Sequence, residues 1–453
     1  MSNSIEIIKV VAQGDTIKYE ICDKTGLNLL QKEKVEAWVK YYNMKQVSFE
    51  LEHLPESVLL LPLTLYVMPI TWFYGVDLIV PSIDKVLYEC LPDIYEAYSK
   101  VYGPFQKEWM GEIKAKAVVS NEMPASRYDH IIFYSGGVDA VHAGVNFPGK
   151  KSVLVSVPSI ESAGNKTGIG GQVFIETKEK LLKDFSAISE SDWLMVTNNF
   201  RNDVFNDSII HSELHSRFGI NSPAYHFDGW FGIKYLGNLL STAPFAYALG
   251  IPNMVLGSSY EQLEDLPNIN LDGSNPDLSD AIKFAGVSFT EQDGLYTRRS
   301  LKVKNIVDWC RKKGKYAYLR VCFNDTTEQC GTCAKCVRTQ LNLLCAGENP
   351  KIWGFDHFDE KRFSKYIRGY NYIEKNICWI WDIVDSIDET MVYPCCNELL
   401  HWLKKQGYKT YFSNVQKAIL RRRLMRIYKY PYYAKKLAQR VFGNLLMQHR
   451  GGK

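Results

Sequence analysis

Residues 322–336 constrain this chain most, and they read Cys322-Phe-Asn-Asp-Thr-Thr-Glu-Gln-Cys330-Gly-Thr-Cys333-Ala-Lys-Cys336. Thiolates at C-x7-C-x2-C-x2-C spacing can close around one tetrahedral zinc ion. Each C-x2-C step turns successive sulfurs toward a common centre, and Gly331 eases the tight turn between them. Four thiolates leave no open coordination position, so such a zinc is structural rather than Lewis-acidic. It would pin a strand expected over 316–322 to a helix expected over 337–345. The plain alternative is four reduced thiols without metal. Arg338 follows the last cysteine by two residues. A guanidinium fixed there could face a phosphate or carboxylate, or make a local salt bridge.

A second motif lies upstream. The apolar run Ile131-Ile132-Phe133-Tyr134 enters Ser135-Gly136-Gly137-Val138-Asp139-Ala140. Glycines in a strand-to-helix turn let an anion approach backbone N–H groups, and the helix N-terminus adds donors and a favourable dipole. Ser135 can donate to a phosphate, and Asp139 can cap the helix or help hold magnesium. An ordinary turn with an Asp cap is the bland alternative. The apolar strand before the turn and the α/β pattern after it favour phosphate binding.

The rest of the chain supplies a frame for the two motifs. Residues 1–120 read as a separate α+β module, with strands at 5–11, 16–22 and 46–51 and helices at 32–42 and 83–102. The first of these helices rests on an apolar stripe at Val35, Trp38 and Val39. Residues 121–127, with Pro124 and Ser126, read as a linker. Residues 128–345 alternate strands (130–134, 152–157, 193–198, 253–258, 316–322) with helices (140–146, 176–188, 231–249, 300–313). That alternation implies a parallel sheet covered on both faces. The stretch 261–297 is rich in Asp, Asn, Gly and Pro and is expected to be a long functional loop. Residues 350–453 read as a helical, basic extension. The uncharged stretches 58–76 and 235–260 are long enough to span a bilayer. Pro and Gly interrupt both, so they are expected to be buried core.

Composition narrows the class further. A chain of 453 residues that is 46% hydrophobic and 23% charged is an ordinary globular protein, which excludes general disorder. Its eleven cysteines are an odd number with four at metal spacing, which favours a reducing cytoplasm over a disulfide framework. No basic-then-apolar leader is visible at Met1–Glu6. Net charge is +4, yet residues 415–453 hold eleven Lys/Arg and no Asp/Glu, so the remainder is acidic. Arg421, Arg422, Arg423, Arg426 and Lys429 interleave with Leu424, Ile427 and Tyr428. Such a segment could be a solvated helix packed by its apolar face or a protein-partner surface. It could also grip nucleic acid or dock on an anionic membrane.

The Ser135–Asp139 turn resembles the PP-loop of the ATP pyrophosphatase superfamily, whose domains are parallel-sheet, adenine nucleotide alpha hydrolase-like folds. The resemblance implies ATP and Mg2+ as cofactors and cleavage of ATP to AMP and pyrophosphate. It implies that Ser135, Gly136, Gly137, Val138 and Asp139 bind the nucleotide, with Ser135 and Asp139 catalytic. Combined with C-x7-C-x2-C-x2-C-x-R, the turn is similar to that of 7-cyano-7-deazaguanine synthases over residues 128–345. That similarity implies Zn2+ on the four cysteines and a catalytic Arg338. The implied reaction adenylates the carboxylate of 7-carboxy-7-deazaguanine or an analogue, and an amide or nitrile follows. It also implies a homodimer.

The chain departs from this family at several points. Ala140 replaces the serine that ends the usual S-G-G-x-D-S. Val157-Pro158-Ser159-Ile160-Glu161 stands where D-Y-G-Q is usual, and Tyr235-Leu236-Gly237-Asn238 where P-G-R-N is usual. Gly273–Asp277 resembles the family's G-Y-P-D element, with Asp277 either a substrate contact or a turn residue. These features describe a divergent paralogue whose acceptor could be an amine on a macromolecule. Extended relatives occur in anti-phage defence and in specialised biosynthesis. The alternatives are a PP-loop tRNA-modifying enzyme using Cys310 or Cys345, and a degenerate nucleotide-binding scaffold that bridges partners.

Overall fold

Strands apolar on both faces belong inside a sheet covered on both sides. Ile131, Ile132, Phe133, Val153, Leu154, Val155, Leu194, Met195 and Val196 are such residues, and all are buried. The computed structural model describes residues 3–102, 111–158, 169–210, 212, 236–258, 275–295, 297–322, 328–374 and 376–429. The chain forms two compact units, Met1–Gln329 with Ile352–Gly354, and Cys330–Lys351 with Phe355–Lys453.

The first unit is mixed α/β, built on one sheet. Its strands are β1 (Ser4–Gln13), β2 (Thr16–Asp23), β3 (Lys34–Tyr42), β4 (Asp77–Asp84), β5 (Ile113–Val119), β6 (His130–Phe133), β7 (Ser152–Ser156), β8 (Asp192–Asn198), β9 (Asn253–Gly257), β10 (Lys283–Phe284) and β11 (Val287–Asp293). Its longer helices are α1 (Leu61–Tyr74), α2 (Lys85–Tyr102), α3 (Val138–Asn146), α4 (Ile169–Ser189) and α5 (Arg299–Lys313). The sheet order is β10-β11-β9-β6-β7-β8-β3-β2-β1-β4-β5, so β10 and β5 are the edges. The neighbours β11, β9, β6, β7 and β8 are parallel throughout. From β6 the chain lays β7 and β8 to one side, then returns to lay β9 and β11 on the other. The order therefore reverses between β6 and β9. In open α/β sheets such a reversal opens a crevice at the carboxyl ends of the strands.

Residues 1–119 continue this sheet. Strand β3 pairs antiparallel with β8, from Val39 opposite Asn198 to Tyr42 opposite Met195. Asn199 lengthens the seam, since its side chain accepts the Trp38 N–H at 2.8 Å and donates to the Glu36 carbonyl at 3.2 Å. One hydrophobic cluster runs from Ile5 and Tyr41 through Leu63 and Ile131 to Val287. The expected boundary at 121–127 thus falls inside the first unit.

Several local expectations are corrected. The helix expected over 32–42 is strand β3. Val35, Trp38 and Val39 do fit helical spacing, but Ala37, Val39 and Tyr41 bury with period two, and ladders on both sides hold that register. The strand expected over 46–51 is the short helix Met44–Val47 with left-handed backbone at Asn43 and Ser48. Residues 316–322 form no regular element, because their donors go to scattered acceptors. Leu319 N–H donates to Trp353 O, Arg320 N–H to Gly136 O, and Val321 N–H to the Gln329 side chain. Of the loop expected over 261–297, the described part contains β10 and β11. The helix expected over 231–249 is helical in its described part, residues 236–248, with a 3-10 turn at Leu240–Thr242 and Pro244 in the first turn of Ala243–Ala248.

Every residue of α1 is buried, as suits a helix apolar on all sides. Among the described residues, no helix is long and apolar enough to cross a membrane.

The second unit is helical where described, with α6 (Ala334–Cys345), α7 (Glu360–Arg368), α8 (Ile377–Asp385), α9 (Asn397–Gln406) and α10 (Tyr408–Lys429). Asp359 and Asn376 cap α7 and α8 through side-chain bonds to the Arg362 and Cys378 N–H groups.

Because β3 covers the flank of β8, a chain lacking residues 1–120 would expose that flank and half the apolar cluster. We expect it to be insoluble or without a cooperative urea transition. A truncated chain that unfolds cooperatively would show that residues 128–345 stand alone.

Candidate functional site

The glycine turn leaves β6 at the strand-order reversal. Tyr134 extends the pairing through its N–H to the Val155 carbonyl at 2.8 Å. Its buried ring stacks on Phe185 with centroids 4.9 Å apart. Ser135 is exposed. Gly136 has φ +83°, open mainly to glycine, and its carbonyl accepts the Arg320 N–H at 2.7 Å. Gly137 is extended and caps α3. The first-turn N–H groups of α3 therefore begin directly after the turn, where a helix has no acceptors of its own. Val138 and Ala140 are buried.

Asp139 lies in the first turn of α3, and its carboxylate meets two cations. Oδ2 is 2.7 Å from Arg299 Nη2 and Oδ1 is 3.0 Å from Lys302 Nζ. Lys302 also donates to the Ser258 carbonyl at the end of β9. Arg299 and Lys302 stand three apart at the start of α5, so one helix face presents both. Burial opposes ionisation of Asp139, but the charges of Arg299 and Lys302 outweigh it and hold the carboxyl well below the usual range. Lys178, from α4, is buried and donates to the Ser135 carbonyl at 2.9 Å. Arg320 is also buried and donates to the Cys322 carbonyl at 3.2 Å. Behind Asp139, His142 Nδ1 lies 2.6 Å from Asp293 Oδ2. Asn146 bonds the other Asp293 oxygen, and Asn305 reaches His142 Nε2 at 3.2 Å.

Nothing in the sequence marks these residues. Arg298-Arg299-Ser300-Leu301-Lys302 reads like any solvated helix start, and Lys178 like any surface lysine of an amphipathic helix. Only the crossover geometry gathers them around the turn.

The four cysteines converge. Their sulfurs all lie within 4.8 Å of one another, and Cys330 and Cys336 are 4.0 Å apart. Tetrahedral zinc with Zn–S near 2.3 Å needs sulfurs about 3.8 Å apart, so the set fits the ion. The Cys333 N–H donates to Cys330 Sγ at 3.2 Å. Gly331 takes φ +67° in the turn. Gln340 ties the knuckle to α6 through the Gly331 and Cys336 carbonyls, and Tyr366 OH reaches the Thr332 carbonyl. Residues 323–327 lie outside the described residues. Among those described, no cysteine forms a disulfide.

The other candidates have local partners. Arg338 is buried in the second unit, with Nη1 3.4 Å from Glu374 Oε2 and its guanidinium 3.7 Å above the Trp379 ring. Asp277 donates its N–H to Asn275 in a short helix start, and its carboxylate pairs with Lys100 at 2.9 Å. Cys310 is buried, and burial pushes the Cys345 thiol up to about 12, away from nucleophilic use. On α10, Arg422 donates to the Asn371 side chain and the Gly369 and Tyr370 carbonyls. Arg421 and Arg423 are exposed beside exposed Leu420, Leu424 and Met425. The side chains of Arg426, Ile427, Tyr428 and Lys429, residues 159–161 and 235 of the segments that depart from the family, and residues 231–235 of the expected helix lie outside the described residues.

Two outcomes follow from this geometry. The ion pairs of Asp139 contribute fully above its unfolded value of about 4 and are lost as pH falls through the lower folded value. Asp139→Asn should lose roughly 3 kcal/mol in urea unfolding at pH 7, and the gap to wild type should narrow below about pH 4. An equal gap at both pH values would mean that the carboxylate charge contributes nothing. Elemental analysis should find one zinc per chain, and stripping it or replacing Cys333 with Ser should lower the thermal midpoint. A metal-free chain with an unchanged midpoint would leave the cysteines as plain thiols.

No family model, no curated protein and no solved structure matches this chain.

Proposed function

We propose that this chain is an ATP-dependent carboxylate-activating enzyme with a structural zinc, acting on 7-carboxy-7-deazaguanine or an analogue. The observation that carries the reading is the Ser135–Asp139 turn, which leaves β6 at the strand-order reversal with buried Lys178, Arg299, Lys302 and Arg320 in contact with it or with its Asp. Glycines, an opening helix and buried cations at one crevice suit a phosphate chain.

In this reading a substrate carboxylate oxygen attacks the α-phosphorus of ATP. The bond to the β-phosphate oxygen breaks, and pyrophosphate departs with its electron pair. The turn and the buried cations hold the leaving pyrophosphate, and Ser135 donates its hydroxyl to it. Magnesium bound with the nucleotide offsets phosphate charge. Attack of ammonia or a macromolecular amine on the acyl carbon expels AMP and leaves an amide, and a second activation can dehydrate it to a nitrile. The rate gain comes from positioning and charge stabilisation. Arg338, held by Glu374 and Trp379, has a packing role in this scheme. The basic face of α10 would serve a protein or nucleic-acid partner, and a homodimer accords with the family resemblance.

Ala140, which offers no hydroxyl, favours a second reading: a nucleotide-binding scaffold that does not turn ATP over. Burial of Cys310 and the raised Cys345 thiol weigh against sulfur transfer in tRNA modification. The deciding assay incubates the full chain with ATP, magnesium and 7-carboxy-7-deazaguanine, with and without ammonia. AMP, pyrophosphate and a deazaguanine amide, nitrile or adduct are expected. ATP binding without turnover on any carboxylate would favour the scaffold.

A further inference from the structure

We propose that Arg299 and Lys302 are the seat for the phosphate chain and that Asp139 is their built-in counter-ion rather than a magnesium ligand. The inference rests on the phosphate-site reading above and departs from it at the role of Asp139.

Both carboxylate oxygens of Asp139 are engaged, Oδ2 by Arg299 at 2.7 Å and Oδ1 by Lys302 at 3.0 Å. The side chains of Arg299 and Lys302 are only 8% and 2% exposed, so neither can turn to bulk water without rearrangement. A divalent ion on the same oxygens would sit against two fixed positive charges in a partly desolvated site, where like-charge repulsion is strong. An anion meets the opposite field. Arg299 presents a planar fork suited to phosphate oxygens. Lys302 is anchored from behind by the Ser258 carbonyl. Asp139 keeps two buried cations compensated when no ligand is bound. An arriving pyrophosphate group competes with it for them. Asp139 is then a positioning residue, and Arg299 is a ligand contact that the glycine motif does not contain.

Inorganic pyrophosphate is the probe, titrated calorimetrically into the full chain with EDTA and, separately, with magnesium. Removing the competing carboxylate in Asp139→Asn should tighten metal-free pyrophosphate binding about ten-fold. The ratio between magnesium and metal-free affinities should stay as in wild type. Arg299→Gln should weaken binding under both conditions by a similar factor. Should Asp139→Asn not fold, Arg299→Gln still answers, because it leaves Asp139 and Lys302 as a matched pair. If Asp139→Asn keeps metal-free affinity but loses the magnesium-dependent gain, Asp139 is a metal ligand and this inference fails while the phosphate site stands. Metal-free binding untouched by Arg299→Gln also overturns it. If folded wild type binds neither pyrophosphate nor ATP under either condition, the phosphate-site reading itself fails.

Discussion

A parallel strand pair cannot be closed by a hairpin, and this constraint organises the first unit. Each parallel neighbour must be reached by a crossover, and the crossovers cover the sheet faces with apolar helices. Every parallel strand then ends on the same side of the sheet. The turns after β6, β9 and β11 therefore emerge together, bringing Asp139 and Ser258 within reach of the first turn of α5 and Asp293 within reach of α3. Residues more than 150 positions apart, such as Asp139 and Arg299, meet because the backbone has no other way to pair these strands.

That gathering has an energetic cost. Arg299, Lys302 and Lys178 are buried cations, and burying a charge is tolerated only where a partner or ligand compensates it. The carboxylate of Asp139, together with carbonyls such as those of Ser135 and Ser258, offsets this. A hydrophobic core of equal volume would hold the fold more simply. The concentration of ionic groups at one sheet end, while the middles of β6 to β9 are apolar, is what sets that end apart from the rest of the sheet.

Much of this was legible from the chain, and the failures have physical causes. The four core strands near 131, 153, 194 and 254 were readable because buried parallel strands are apolar without interruption. The knuckle was readable because metal spacing is set by short-range geometry. Strand β3 was not, since Val35, Trp38 and Val39 satisfy a helical period as well as a strand, and only pairing with β2 and β8 decides. Strand β11 was hidden by its polar composition, Ser-Phe-Thr-Glu-Gln-Asp after Val287. The continuity of residues 1–119 with the core was invisible because a strand carries no sequence mark of its partner. Arg299 and Lys302 likewise carry no mark of Asp139, 160 and 163 positions away.

The seam between β3 and β8 also decides where this protein is vulnerable to other chains. By extending the sheet it hides the open flank of β8 and moves that edge outward to β5, while β10 forms the other edge. Those two strands are poor templates for a further strand. Strand β10 has only two residues, Lys283 and Phe284. Strand β5 carries Lys114 and Lys116, and a second molecule aligning there would set like charges side by side. So broad a sheet would otherwise invite edge-to-edge polymerisation, and its margins are built to refuse it.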